Sequence, residues 1–204
     1  LVGDAGLVVL PMVMPAPHPD AAEMPAGMMS PEPEAFERAR AHVIVTALGE
    51  GEDVRVNDRL LALLTAAVID AVGDRAIAAM LGHGRVFHRA EVFRDLADLA
   101  VEAPELVPEL AIDVTAARES ETHMSFLTHN MGRYGREEVF MRCAIAGKGA
   151  QGFLMSIVRW LLTDADKQFR TGETIGRTAE EKIRIQRVPN PTGEGPPVLF
   201  LDLG

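Results

Sequence analysis

Seven of the 13 prolines fall between residues 11 and 33 (Pro11, Pro15, Pro17, Pro19, Pro25, Pro31 and Pro33), and this cluster constrains the chain more than any other feature. Each proline fixes φ and removes a backbone donor, so residues 15–33 can build neither an uninterrupted helix nor an uninterrupted strand. They read as a loop crossing the surface of the fold. Five of the 10 methionines (Met12, Met14, Met24, Met28 and Met29) share this region, so the N-terminal sixth is a different material from the rest. Ahead of it, Leu7–Val13 is a short apolar run that reads as a buried strand. It is too short to span a bilayer and lacks the basic flank and cleavage site of a signal peptide. The expected compartment is the cytoplasm.

Beyond the cluster, composition is that of a globular chain: 204 residues, 48% hydrophobic and 25% charged. A net charge of −10 argues against nucleic acid, whose binders neutralise phosphates with Lys and Arg, and against an anionic membrane surface. One cysteine excludes an internal disulfide and a thiolate-only zinc site.

The periodicities then alternate between helix and strand. A short helix is expected over 33–40, and the β-branched run 42–48 reads as a strand. Asn57 is the expected cap of a helix carrying Leu60, Leu61, Leu64, Val68 and Val72, with Gly73 closing it. Residues 76–81 suggest an interior strand. A helix over 89–101 follows, presenting Val92, Phe93, Leu96 and Leu99 on one face. Leu110, Ile112 and Val114 alternate as a half-buried strand, as do Val139, Met141, Cys143 and Ile145 within 138–146, with a strand at 124–128 between them. An apolar helix is expected at 153–162, and closing strands at 182–188 and 198–203. The pattern is that of a single α+β domain over 1–204. A mixed or largely antiparallel sheet carries helices mainly on one face, with a hint of weak duplication.

Few residues offer chemistry in a productive pattern. Gly147-x-Gly149-x-x-Gly152 matches a dinucleotide-binding fingerprint in spacing, but no acidic strand end follows and too little chain remains, so a tight turn is the better reading. His83 with His88, and His123 with His129, lack metal-ligand spacing, and no cofactor or metal is expected. Cys143 sits in the apolar phase of its strand. Ser125 and His129 lack a nucleophile elbow. Glu137-Glu138 and Glu180-Glu181 read as solvated charge.

Two turn-rich segments remain: Thr128-His-Asn-Met-Gly-Arg-Tyr-Gly-Arg-Glu-Glu138 and Thr171-Gly-Glu-Thr-Ile-Gly176. Asn130, Gly132 and Gly135 are residue types that tolerate positive φ. Thr128, Met131, Gly135 and Glu138 resemble the first motif of a bacterial domain-of-unknown-function family, number 4261, with Asn130 standing where glycine is usual. Gly172, Thr174, Ile175 and Gly176 resemble its second motif, with Glu173 in place of aspartate. The likeness runs over most of the chain, including His18 and 42–45, and implies a fold more than an activity. The first motif is also similar to Suppressor-of-fused-like domains, α+β interaction modules, which tilts the expectation toward binding.

The resulting expectation is a non-enzymatic interaction or accessory module, its acidic charge suited to a neutral or basic protein partner. The candidate binding residues are Thr128, His129, Asn130, Arg133, Gly135, Glu138, Gly172, Thr174 and Gly176. The alternative is a small-ligand site or an enzyme, with His129, Arg133, Glu138 and Thr174 around one pocket.

Overall fold

A computed structural model describes residues 6–14, 34–35, 38–48, 53–81, 87–102, 107–146, 149–164 and 167–204. The crossing loop expected at 15–33, residues 36–37 of the helix expected at 33–40, His83 and Gly147 lie outside them. Of that helix the described residues 34–35 are helical, whereas 38–40 are a turn and irregular chain. The class is α+β, as expected, and backbone contacts gather the chain into two compact units, Leu1–Ala111 and Ile112–Gly204.

In the first unit, β1 (Gly6–Met12) and β2 (His42–Leu48) form an antiparallel ribbon with Val9 opposite Val45 and Leu10 opposite Ile44. Neither strand carries an Asp, Glu, Lys or Arg. Helix α1 (Val54–Val72) begins one turn earlier than Asn57 implies. Its cap is Asp53, whose carboxylate accepts the Arg55 N–H at 2.9 Å and also holds the Arg55 guanidinium. Aspartate caps as well as asparagine, and the returning Arg55 fixes the choice. Gly73 closes the helix at φ 65°, as its sequence position predicts. The strand expected at 76–81 shrinks to β3 (Ala78–Ala79), paired with β4 (His88–Arg89). Helix α2 (Ala90–Glu102) packs beside α1, burying Ala90, Phe93, Ala97 and Ala100 at helical spacing.

Between the helices and the second unit, Pro108–Ala111 is a helical turn, α3, rather than the start of a strand. Proline at a first helical position explains this, because its missing N–H is unneeded there. Leu110 is buried in that turn, and its apparent alternation with Ile112 is accidental.

The second unit is a six-stranded mixed sheet in the order β5 (Asp113–Arg118), β6 (His123–His129), β7 (Val139–Ala144), β10 (Val198–Asp202), β9 (Ile183–Val188) and β8 (Thr174–Ile175). All neighbours are antiparallel except β7 and β10. Helix α4 (Ala150–Thr163) buries Ala150, Leu154, Ile157, Val158, Leu161 and Leu162. They share one core with Val139, Met141, Cys143, Ile183, Ile185, Leu199 and Leu201 of the sheet. These sheet residues follow the strand period of two, and the helical residues follow i, i+4, i+7, i+8. Each such buried Leu or Ile contributes about 1.5–3 kcal/mol relative to exposure. Gly149, at φ 79°, turns the chain into α4, and a Cβ added at Gly152 would meet open space, so these glycines serve a turn and a helix surface. No helix among the described residues is long and apolar enough to cross a membrane.

Candidate functional site

The first motif bridges β6 and β7. Thr128, next to last in β6, has no exposed surface and lies on the sheet face that carries α4. Its hydroxyl donates to Glu138 Oε2 at 2.7 Å and accepts the Val139 N–H at 2.8 Å. Asn130 follows in the left-handed region (φ 80°), the only non-glycine residue there among those described. Residues Met131–Tyr134 then make a single 3₁₀ turn, closed by Gly135 at φ 69°. Asn is the residue type with the least penalty for that backbone after glycine, so the turn forms with Asn130 at its start.

Glu138 lies at the centre of this turn, not in solvent as its sequence context suggests. Burial pushes its carboxyl above the usual carboxylate range, and this outweighs the opposing pull of the Thr128 hydroxyl, the backbone N–H groups of Gly132 and Met131, and nearby His129. The carboxylate therefore caps the amino end of the 3₁₀ turn. Met131, on that turn, is wholly buried in the core under α4. Thr128, Asn130, Gly135 and Glu138 thus compose one backbone device whose polar atoms satisfy one another.

Two arginines tie the device to the rest of the unit. Arg136 donates to the carbonyls of Asp164 (2.6 Å) and Lys167 (3.0 Å), taking up acceptors just past α4. Arg187 grips Glu137 with two bonds of 2.7 and 2.8 Å and also reaches the Phe169 carbonyl and the Thr171 hydroxyl. The two motifs therefore meet, but through Glu137, Arg187 and Thr171 rather than through residues expected to bind. Strand β9 signals this: Ile183 and Ile185 point to the core, and Arg187 continues their phase. An arginine in an inward phase at a strand end calls for a partner.

The second motif is a strand edge, not a free loop. The Gly172 N–H donates to the Ile185 carbonyl at 2.8 Å, with Gly172 at φ 94°, and Thr174 pairs with Arg184. A Cβ at Gly176 would fall 2.1 Å from the Glu181 carbonyl oxygen, so only glycine fits. Arg177 closes the segment by gripping the Glu181 carboxylate with its guanidinium and its own N–H. These bonds hold the Glu181 carboxyl down at about 2.

Of the four residues expected around one pocket, Glu138 and His129 are close, but His129 projects from the opposite sheet face to Thr128 and bonds the Thr115 hydroxyl at 2.9 Å. Arg133 sits half-exposed on the 3₁₀ turn. Thr174 lies four strands from His129, about 19 Å at the usual strand spacing. Cys143 is buried, and burial pushes its thiol up, leaving it a small apolar side chain. Among the described residues, no group of three or more His, Cys, Asp or Glu is placed to hold a metal ion. Chemically, the arrangement fixes a turn, with the half-buried Glu138 carboxylate already engaged by a hydroxyl and two amides. No family model, no curated protein and no solved structure matches this chain.

Proposed function

We propose that this protein is a cytoplasmic interaction or accessory module that recognises a basic protein partner through its first unit. The observation that carries the reading is the distribution of charge. Leu1–Ala111 holds 18 acidic and 8 basic residues, whereas Ile112–Gly204 holds 12 of each, so the whole net charge of −10 belongs to the first unit. On α2, Glu91, Asp95 and Asp98 stand exposed on the helix face opposite Phe93 and Ala97, with Arg89 3.6 Å from Glu91 and Arg94 3.2 Å from Asp95 at the surface. Such a field steers a cationic partner and raises its rate of encounter. The engagement of Thr128 and Glu138 with their own backbone supports the same reading, since it makes the motif a scaffold for the second unit. Membership of family 4261 and a likeness to Suppressor-of-fused-like modules belong to this reading.

The test is retention of partners from native lysate on the immobilised chain, across salt concentrations, beside a variant carrying Glu91→Lys, Asp95→Lys and Asp98→Lys. A basic protein held at low salt, released by high salt and lost in the variant is expected. Retention that ignores both salt and the charge reversals, or no partner at any salt, overturns the reading.

A further inference from the structure

The two edges of the second unit's sheet are managed differently. At one edge β8 is two residues long, and the chain leaves it through Gly176 and the Arg177–Glu181 grip. Very short edge strands are one of the standard guards against unwanted pairing. At the other edge β5 has six residues, no proline and no bulge, and Thr115, Ala116, Ala117 and Arg118 are exposed.

The register shows which backbone groups this edge offers. The Glu119 N–H donates to the His123 carbonyl, continuing the ladder in which Arg118 faces Met124. Because N–H and C=O groups of alternate residues point to opposite sides of an antiparallel strand, Asp113, Thr115 and Ala117 bond toward β6. Val114, Ala116 and Arg118 therefore present their N–H and C=O groups outward, and among the described residues no strand pairs with them there. The longer side chains do not guard them. The Arg118 guanidinium folds back onto the carbonyls of Ser120 and Glu121, and the Thr115 hydroxyl is held by His129 of β6.

We infer that β5 is a self-association edge, pairing antiparallel with β5 of a second copy about Ala116. In that register the three outward residues meet three outward residues: Ala116 faces Ala116, and Val114 faces Arg118 on either side, so every free N–H and C=O of the strand finds a partner. Ala116 with Ala116 and Thr115 with Ala117 are the smallest side chains available at the axis, so two strands approach without a clash. The second unit carries equal acidic and basic counts, so this edge is where two copies of an acidic chain meet with least repulsion. Asp113 faces Glu119 at each end, the one unfavourable pair. This inference does not depend on the proposed basic partner, which concerns the other unit.

The experiment is sedimentation equilibrium of the full chain with Ala116→Pro and Ala116→Lys. The Ala116 N–H points away from β6, so proline there removes an outward donor and leaves the β5–β6 ladder intact. Lysine blocks the edge with no change to the backbone, so the two variants together separate lost pairing from lost folding. The expected result is twice the 22.1 kDa chain mass for the natural sequence and a single chain mass for both variants, each with unchanged circular dichroism. Amide exchange gives an independent readout: Val114, Ala116 and Arg118 become protected as concentration rises, while Thr115 and Ala117 are protected throughout. A natural chain that stays at single mass at high micromolar concentration overturns the inference. So does a double-mass species that both variants leave intact, or one whose outward amides exchange freely because another surface pairs.

Discussion

The two units spend their apolar and charged residues in opposite ways. The second unit carries 12 acidic and 12 basic residues, and pairs such as Arg187 with Glu137 and Arg142 with Asp202 tie together segments distant in the chain. The first unit's described pairs, Arg55 with Asp53, Arg89 with Glu91 and Arg94 with Asp95, instead join near neighbours in the chain. In the second unit, strands β7 and β9 bury alternate residues under α4. The first unit carries the entire net charge, yet its β1–β2 ribbon has no charged residue and leaves Val9, Leu10, Val43 and Ile44 substantially exposed on both faces. A sheet of six strands with a helix across one face closes a core; a ribbon of two does not. The lesson is that the second unit is organised for internal consistency and the first presents surface.

Four measurements test this contrast. The largest effect is expected from Leu154→Ala, which opens a cavity where α4 meets the sheet and costs about 2–5 kcal/mol in urea unfolding. A cost below 1 kcal/mol would mean that the second unit's core is not the closed one its packing describes. Next, Thr128→Val keeps the shape but strips the hydroxyl from Glu138 and the acceptor from the Val139 N–H. A loss of about 1–3 kcal/mol follows from leaving buried polar groups unpaired. If unfolding is unchanged, the motif is not the clamp described.

Smaller still is a pH effect with opposite signs at two glutamates. Glu138 has its folded pKa raised, so the folded state binds the proton more tightly than the unfolded one. Its contribution is a penalty present above the folded pKa, relieved as pH falls toward the ordinary carboxylate value. Glu181 has its folded pKa lowered to about 2, so its stabilisation is present above the ordinary value and lost as pH falls from there through about 2. Comparing Glu138→Gln and Glu181→Gln with the natural chain in acid unfolding should flatten the two windows separately. Identical profiles for both variants would remove the distinction. The smallest effect is expected in the first unit: Leu10→Thr, a strand-compatible change at a half-exposed ribbon position, should cost about 0.5 kcal/mol or less. A loss of 2 kcal/mol would show the ribbon buried against something and collapse the contrast between the units.

Particular elements show where sequence reasoning reached and where it stopped. The β2 strand at 42–48 is found as expected, because its β-branched run admits no other local structure. β6 and β7 match to within two residues, and α4 to within three, since each repeats its own period. The start of α1 is capped by Asp53 rather than Asn57: the two residue types cap equally well, and the Arg55 N–H and guanidinium reach back to Asp53. The strand expected from Leu110 dissolved into a helical turn, since three alternating residues satisfy more than one conformation. Among the candidate site residues, the turn roles of Asn130, Gly135 and Gly176 were legible from residue type. The engagement of Glu138 was not, because its partner Thr128 lies ten positions away across a turn whose geometry local pattern does not encode. Nor were Arg136 and Arg187, whose partners are backbone carbonyls and residues up to 50 positions distant.

By itself, the sequence determined the α+β class, most helices and strands, the turn positions that need a left-handed backbone, and the acidic charge. These follow from local sterics, from hydrophobic period and from counting, none of which depends on distant residues. Packing in three dimensions fixes that β7 and β10 run parallel, that β5 lies at one end of the sheet, that Arg187 joins the two motifs, and that the Glu138 carboxylate is half-buried and engaged. Each of these depends on which segments the fold brings side by side. Such contacts form because packing the α4 core brings those segments together, and a linear pattern carries no record of which strands will be neighbours.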